Sequence, residues 1–199
     1  MHLIVLVPKR FHSVKSEIRV LGIDDGRFVP RTEGNVKVVG VVYRGGCWFE
    51  GVMQTYVAID GLDGTEKISE MIKVSPFYGE LRVVFLDGVT FAGFNVVDIS
   101  EIYHRTGLPV ISVARKKPDL EEIKHALRNL SDFDYRWNAM ENAGGLFEVE
   151  TRKDENAVFV HLAGIFLEDA EEIMKTASTR SNIPEALRVA HLLASGLSC

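Results

Sequence analysis

The chain has 199 residues, a length that suits one domain better than two. Hydrophobic residues make up 46% and charged residues 26%, the balance of a globular protein, which excludes disorder, collagen and coiled coil. With 23 basic and 28 acidic residues the net charge is −5, the opposite sign from a protein that coats nucleic acid non-specifically; an acidic nuclease stays compatible, because bound divalent cations cancel charge where phosphate approaches.

Leu3 to Val7, the longest apolar run near the N-terminus, is too short for a membrane span or a signal-peptide core. The expectation is a soluble, unsecreted, cytoplasmic protein with no membrane partner. Cys47 and Cys199 form no C-x-x-C pair and read as free thiols, and two cysteines exclude a Cys-rich zinc site. Residues 1–17 read as an N-terminal extension: Met1 to Val7 suits a short strand, and Pro8 to Lys15 carries three basic residues and no acid. An added edge strand, a disordered extension and a misassigned start fit it equally. Residues 18–199 form a single domain.

From Ile18 the pattern is regular. Ile18 to Asp24 is β-branched and apolar, and Asp25-Gly26 reads as a turn. Val36 to Tyr43 and Trp48 to Ile59 follow as strands, joined by a hairpin turn at Arg44-Gly45-Gly46. The period then changes. Asp63 to Ile72 places Ile68, Met71 and Ile72 on one helical face, with Asp63 as N-cap and Glu66 completing a capping-box start. Leu81 to Asp87 is a buried strand, Val96 to Thr106 a helix stopped by Gly107, and Pro109 to Ala114 another buried strand. A helix follows near Asp119 to Leu130, then a hairpin of Leu146 to Thr151 and Ala157 to Leu162. Helices over Leu167 to Ala177 and Pro184 to Leu197 close the chain, with Pro184 in a first-turn position. Three antiparallel strands followed by strand–helix units suited to parallel pairing predict a mixed-sheet α/β fold with flanking helices.

Sites in such sheets collect beyond the carboxyl ends of strands. Two apolar strands here end in aspartate, at Asp24-Asp25-Gly26 and Asp87-Gly88. If they are neighbours, Asp24 and Asp87 share one cavity, and two close carboxylates call for a proton or a divalent cation between them. Oxygen ligands select Mg²⁺ or Mn²⁺. Asp-Gly after a strand is equally ordinary turn chemistry. Asp63 and Glu66 have helix capping as the plain alternative, and His191, inside the last helix, reads as packed or solvated as readily as a ligand. Arg115-Lys116-Lys117 is either a solvated basic loop or a phosphate clamp. Phe91 and Phe94 read as core or lid aromatics before base-stacking platforms. Phosphate-binding glycine loops, the G-x-S-x-G elbow and H-E-x-x-H are all absent, and the six histidines show no ligand spacing among themselves.

Ile18-Arg-Val-Leu-Gly-Ile-Asp-Asp-Gly26, the stretch Phe85 to Asp98 and Ile183-Pro-Glu-Ala-Leu-Arg-Val-Ala-His191 resemble the largely archaeal domain of unknown function numbered ninety-nine, over about Ile18 to Leu197. That family in turn resembles endonuclease V, a metal-dependent nuclease of the ribonuclease H-like fold acting near hypoxanthine. The resemblance implies metal binding by Asp24 and Asp87, an acidic partner at Asp63 with Glu66 as fallback, and an active-site role for His191. Arg115 stands where the nuclease carries a lysine, and Arg115 and Lys116 would hold substrate phosphate. Departures are specific. Ala92-Gly-Phe-Asn-Val96 replaces a His-Pro-Arg stretch, the Tyr-Ile-Pro wedge is absent between Tyr56 and Asp63, and Val160-His-Leu-Ala-Gly164 stands for Ser-x-Gly-His. The carboxylates are kept in pattern; the base-recognition and strand-handling motifs are not. The expected activity is that of a metal-dependent phosphodiesterase or endonuclease acting on DNA or RNA. The alternative is a non-catalytic nucleic-acid or protein binding module on the same scaffold.

Overall fold

The computed structural model describes residues 7–30 and 32–198. The strand expected over Met1 to Val7 therefore lies almost wholly outside the described residues, as does Cys199; Cys47 is exposed.

The N-terminal strands form as their β-branched sequences require: β1 (Arg19–Asp25), β2 (Asn35–Arg44) and β3 (Trp48–Ala58) make an antiparallel meander. The β2–β3 connection is the expected tight turn, with Gly45 at φ +60. Asp25-Gly26 is not a turn: Asp25 ends β1, Gly26 N donates to Lys37 O, and the loop runs on to β2. Helix α1 (Gly64–Val74) leads to β4 (Val83–Asp87), which pairs parallel to β1. A short hairpin, β5 (Thr90–Phe91) and β6 (Asn95–Val96), precedes α2 (Ile99–Thr106), so the helix expected from Val96 begins three residues later. Its true start is set by Asp98, whose Oδ1 accepts from Glu101 N at 2.9 Å, and Gly107 ends it in the left-handed conformation as expected. Strand β7 (Val110–Ala114), helices α3 (Leu120–Leu127) and α4 (Phe133–Asn142), the hairpin β8 (Phe147–Val149) and β9 (Val158–Ala163), then α5 (Leu167–Ala177) and α6 (Glu185–Gly196) complete the chain. The sequence gives no warning of α4, because Phe133, Tyr135 and Trp137 alternate at strand period rather than lining one helical face.

The seven-stranded sheet has the order β3-β2-β1-β4-β7-β9-β8. Alternation along each strand sends Leu21, Ile23, Val84 and Leu86 to one core with α1, α2 and α4. Val20, Phe85, Ile111 and Val113 face a second core with α5 and α6. Residues 7–17 lie against the body: Lys9 N donates to Gly164 O, Phe11 N to Asp169 Oδ2, and Phe11 and Val14 pack on the second core. Among the described residues no helix is long and apolar enough to cross a membrane.

One approach governs the second face. A Cβ built on Gly22 would sit 2.3 Å from the backbone of Ala186 and Leu187, and one on Gly26 would sit 2.0 Å from Ser198 Oγ. Gly22, Asp24 and Gly26 share a face of β1, so α6 rests directly on the strand with Asp24 beneath it. The small Ala186, Ala190 and Ala194, four residues apart, form the buried ridge that allows this. Gly22→Ala is expected to lower the unfolding free energy by about 1–3 kcal/mol, the usual cost of overpacking. A chemical-denaturation midpoint equal to wild type would contradict this packing.

Candidate metal centre

Asp24 stands one residue beyond the paired Ile23, and Asp87 one beyond its partner Leu86, so the two carboxylates lie at equivalent points on adjacent parallel strands and on the same face. Helix α6 supplies the third group. His191 lies one turn after Leu187, and its Nδ1 is 2.7 Å from Asp24 Oδ2. Ligand atoms of Asp24, Asp87 and His191 all fall within 4.8 Å of one another. Asp24 is 4% exposed, whereas 45% of the His191 side chain reaches solvent, so the group has a buried floor and an open side. Gly88, at φ +79, turns the chain away just after Asp87 and donates its N–H to Val113 O.

The electrostatics are strained in the absence of a cation. Burial pushes the Asp24 carboxyl up to about 8, and the negative charges of Asp87 and Asp25 add to the effect; the N–H of Asp25 on Asp24 Oδ1, at 2.8 Å, works the other way. Burial also raises Asp25, whose Oδ2 accepts from Ala92 N at 2.6 Å. Two carboxylates and an imidazole, gathered where a buried floor meets an open side, form a set that suits Mg²⁺ or Mn²⁺, and a dication would offset the charge that burial, together with Asp87 and Asp25, disfavours on Asp24.

The other expected site residues fall elsewhere. Asp63 occupies the N-cap position of α1 but makes no capping bond; its Oδ1 accepts from Ala58 N at 3.1 Å and Asn95 Nδ2 at 2.7 Å. The cap comes from the buried Asn95, whose Oδ1 accepts from Gly64 N at 3.0 Å. The capping box is thus replaced by a tertiary cap, and Asp63 does not join the three-residue group. Glu66 is exposed and borders a different groove beside Asp98 and Glu101. Arg115 and Lys116 are exposed directly after β7, the neighbour of β4, and make no ion pair among the described residues. Phe91 is fully buried, and Phe94 is half-buried at the rim of a cleft.

Sequence reasoning missed Asp25 and Arg136. Asp25 could have been found as the second acid of a doublet closing a buried strand. Arg136 is 2% exposed and spends its guanidinium on main-chain carbonyls: Asp60 O at 2.6 Å, Gly61 O at 2.9 Å, Ser131 O at 3.0 Å and Phe94 O. Burial lowers its pKa, with Asp132 and Asp60 partly opposing. No local pattern marks such a residue.

Residues 16–198 match the model of a family described as Endonuclease dU. A UPF0215 protein of Methanothermobacter thermautotrophicus is 52% identical over 189 residues, covering 94% of this chain and 91% of the relative. A protein of unknown function from Archaeoglobus fulgidus, known from its crystal structure, superposes with a TM-score of 0.81 at 38% identity, covering 90% of this chain and 98% of that one. Endonuclease V of Ciona intestinalis, crystallised with a 24mer DNA containing an inosine followed by a ribo-adenosine, superposes with a TM-score of 0.57 at 17% identity, covering 87% of this chain and 82% of that one. At that identity the likeness is one of fold, and the sheet is accordingly the ribonuclease H-like one expected.

Without metal, the folded protein holds the Asp24 proton up to about pH 8, whereas an unfolded chain releases it near the ordinary value of 3.8. The folded state therefore binds the extra proton between those values, and stability is expected to fall as pH rises through that window. Asp24→Asn should flatten the decline. Melting curves in chelator across this range check it, and equal slopes for the two proteins would contradict the assignment.

Proposed function

The chain belongs to the endonuclease dU family, and from that membership and the Asp24–Asp87–His191 group we propose that it is a divalent-metal-dependent endonuclease that hydrolyses phosphodiester bonds in DNA. The family description points to deoxyuridine as the mark that selects the substrate. The observation that carries the reading is the convergence of two strand-end carboxylates and one imidazole, their ligand atoms within 4.8 Å, at an open edge of the sheet.

Asp24 and Asp87 would hold Mg²⁺ or Mn²⁺, with His191 beside them. When bound, such a cation activates water and offsets the charge that develops on the phosphate. Asp24, fixed by the N–H of Asp25, orients the His191 ring through Nδ1; with that nitrogen donating to Asp24, Nε2 is left as the acceptor for a proton from the attacking water. Asp87, on the adjacent strand and less buried, presents its carboxylate from the other side. Arg115 and Lys116 extend from the end of β7 with no acid engaging them among the described residues, as side chains that receive substrate phosphates should. Their position reconciles nucleic-acid binding with an overall charge of −5. At the other end of the sheet Arg19 and Arg44 are tied to Glu17, Glu50 and Glu80.

Asp87→Asn should abolish Mn²⁺- or Mg²⁺-dependent cleavage of deoxyuridine-containing DNA while leaving the melting temperature within a few degrees of wild type. His191→Ala should lower the rate by about 10²–10⁴-fold, the usual contribution of a positioned acid–base group. Cleavage by Asp87→Asn at the wild-type rate would overturn the reading.

A further inference from the structure

Strand β3 closes one side of the sheet with only β2 beside it, and successive residues point their main-chain groups alternately inward and outward. Ile59 N donates to Gly34 O, so Val57, Thr55 and Met53 turn their N–H and C=O groups to β2. Ala58 turns outward, where its N–H meets Asp63 Oδ1 at 3.1 Å and its carbonyl accepts from Gly61 N and Asn95 Nδ2, both at 3.0 Å. Tyr56, Gln54 and Val52 turn outward as well, and their main-chain groups have no partner among the described residues.

Open edges of this kind are ordinarily blunted by lysine, proline or a bulge. The bulge in β3 is confined to Glu50, left over between Gly51 opposite Val42 and Phe49 opposite Tyr43. From Gly51 to Ala58 the strand carries neither proline nor charge. Glu50 itself is neutralised by Arg19 at 2.6 Å and Arg44 at 3.0 Å. Trp48, Phe49, Val52 and Tyr56 are each 46–58% exposed.

The same segment is complementary to itself. A two-fold axis at Gln54 sets a second, antiparallel copy so that Gln54 meets its own counterpart and Val52 meets the partner's Tyr56. Each opposed pair exchanges two main-chain hydrogen bonds, which uses the outward groups of all three residues. Val52 against Tyr56 is a favourable β-branched and aromatic pair, and the Gln54 amides supply both donor and acceptor at the axis. Half-exposed rings offer about 100 Å² each. With the strand edges, the two copies cover on the order of 1,000 Å², the lower bound for a specific interface.

We propose that β3 is a self-association surface, on which two copies of this chain pair their β3 strands antiparallel about an axis at Gln54 and join their sheets into one. The inference is independent of the endonuclease reading. Asp24, Val39 and Gln54 form one row across β1, β2 and β3, so the axis passes level with the metal groups. The two groups of the dimer then stand five strand spacings apart, roughly 24 Å.

The test is sedimentation velocity of the full chain over a wide concentration range. Wild type should pass from monomer to dimer with a midpoint on the order of 10 µM, as small interfaces give. Gln54→Lys sets two ammonium groups face to face at the axis and leaves every bond from β3 to β2 in place. It should weaken the dimer about tenfold or more, with the melting temperature of the dilute protein unchanged. Disulfide trapping checks the register in a Cys47→Ser, Cys199→Ser background. Gln54→Cys should crosslink on mild oxidation, because directly opposed residues hold their Cα atoms about 5.5 Å apart. Val52→Cys, opposite the partner's Tyr56, should not. A dimer that Gln54→Lys leaves unchanged, or crosslinking of Val52→Cys as fast as Gln54→Cys, would overturn the proposal. A monomer at every concentration would overturn it too, and would leave the edge to a strand from a different protein.

Discussion

Helix α6 lies on β1 with nothing between the two backbones at Gly22, where even a methyl group would stand 2.3 Å from Ala186 and Leu187. A helix packed on a sheet through ordinary side chains sits about 10 Å from it, and the glycine lets α6 come closer than that. Glycine at residues 22 and 26, flanking Asp24 on one face, removes the side chains that would hold the helix away, and Ala186, Ala190 and Ala194 remove them from the other partner. The distance of 2.7 Å between His191 Nδ1 and Asp24 Oδ2 follows from that contact. The same motif that ends β1 thus sets both a packing distance and a ligand.

The site is built at some expense to the fold. Asp24 is buried beside two further acids, and the protein without a cation accommodates it by holding a proton. The neighbouring loops carry two left-handed non-glycine residues and an arginine buried on carbonyls alone. These features cluster around the carboxyl ends of β1 and β4, while the opposite end of the sheet is fastened by ordinary ion pairs such as Arg19 with Glu50. Local strain gathered at one end of a well-packed sheet is what a preorganised site requires, since its groups must already be in place when substrate arrives.

Much of this was legible in the residues. The apolar β-branched runs place β1, β2, β4, β7 and β9, because period and composition report burial directly, and α5 spans Leu167–Ala177 as its spacing predicts. Asp24 and Asp87 stand out because each closes such a run before a glycine. What the sequence hid depends on contacts distant along the chain. Asn95 caps a helix that begins 31 residues earlier, so Asp63, the obvious local cap, is diverted to Ala58 and Asn95. Helix α4 is held by Ala139 and Met140 in the core and by Arg136 beneath the β5–β6 hairpin rather than by an amphipathic stripe. The glycines that follow the two strand-end aspartate motifs looked alike and do different work: Gly88 turns the chain at positive φ, and Gly26 admits α6.

The central claim is that α6, lowered onto β1, completes a site for one divalent cation. The most direct measurement is anomalous diffraction from crystals of the protein grown with Mn²⁺. The account predicts a single strong anomalous peak within coordination distance of Asp24 and Asp87 and beside His191, and its loss in Gly22→Val, where the helix can no longer close on the strand. A peak bound to other residues, or none at saturating Mn²⁺, would contradict it.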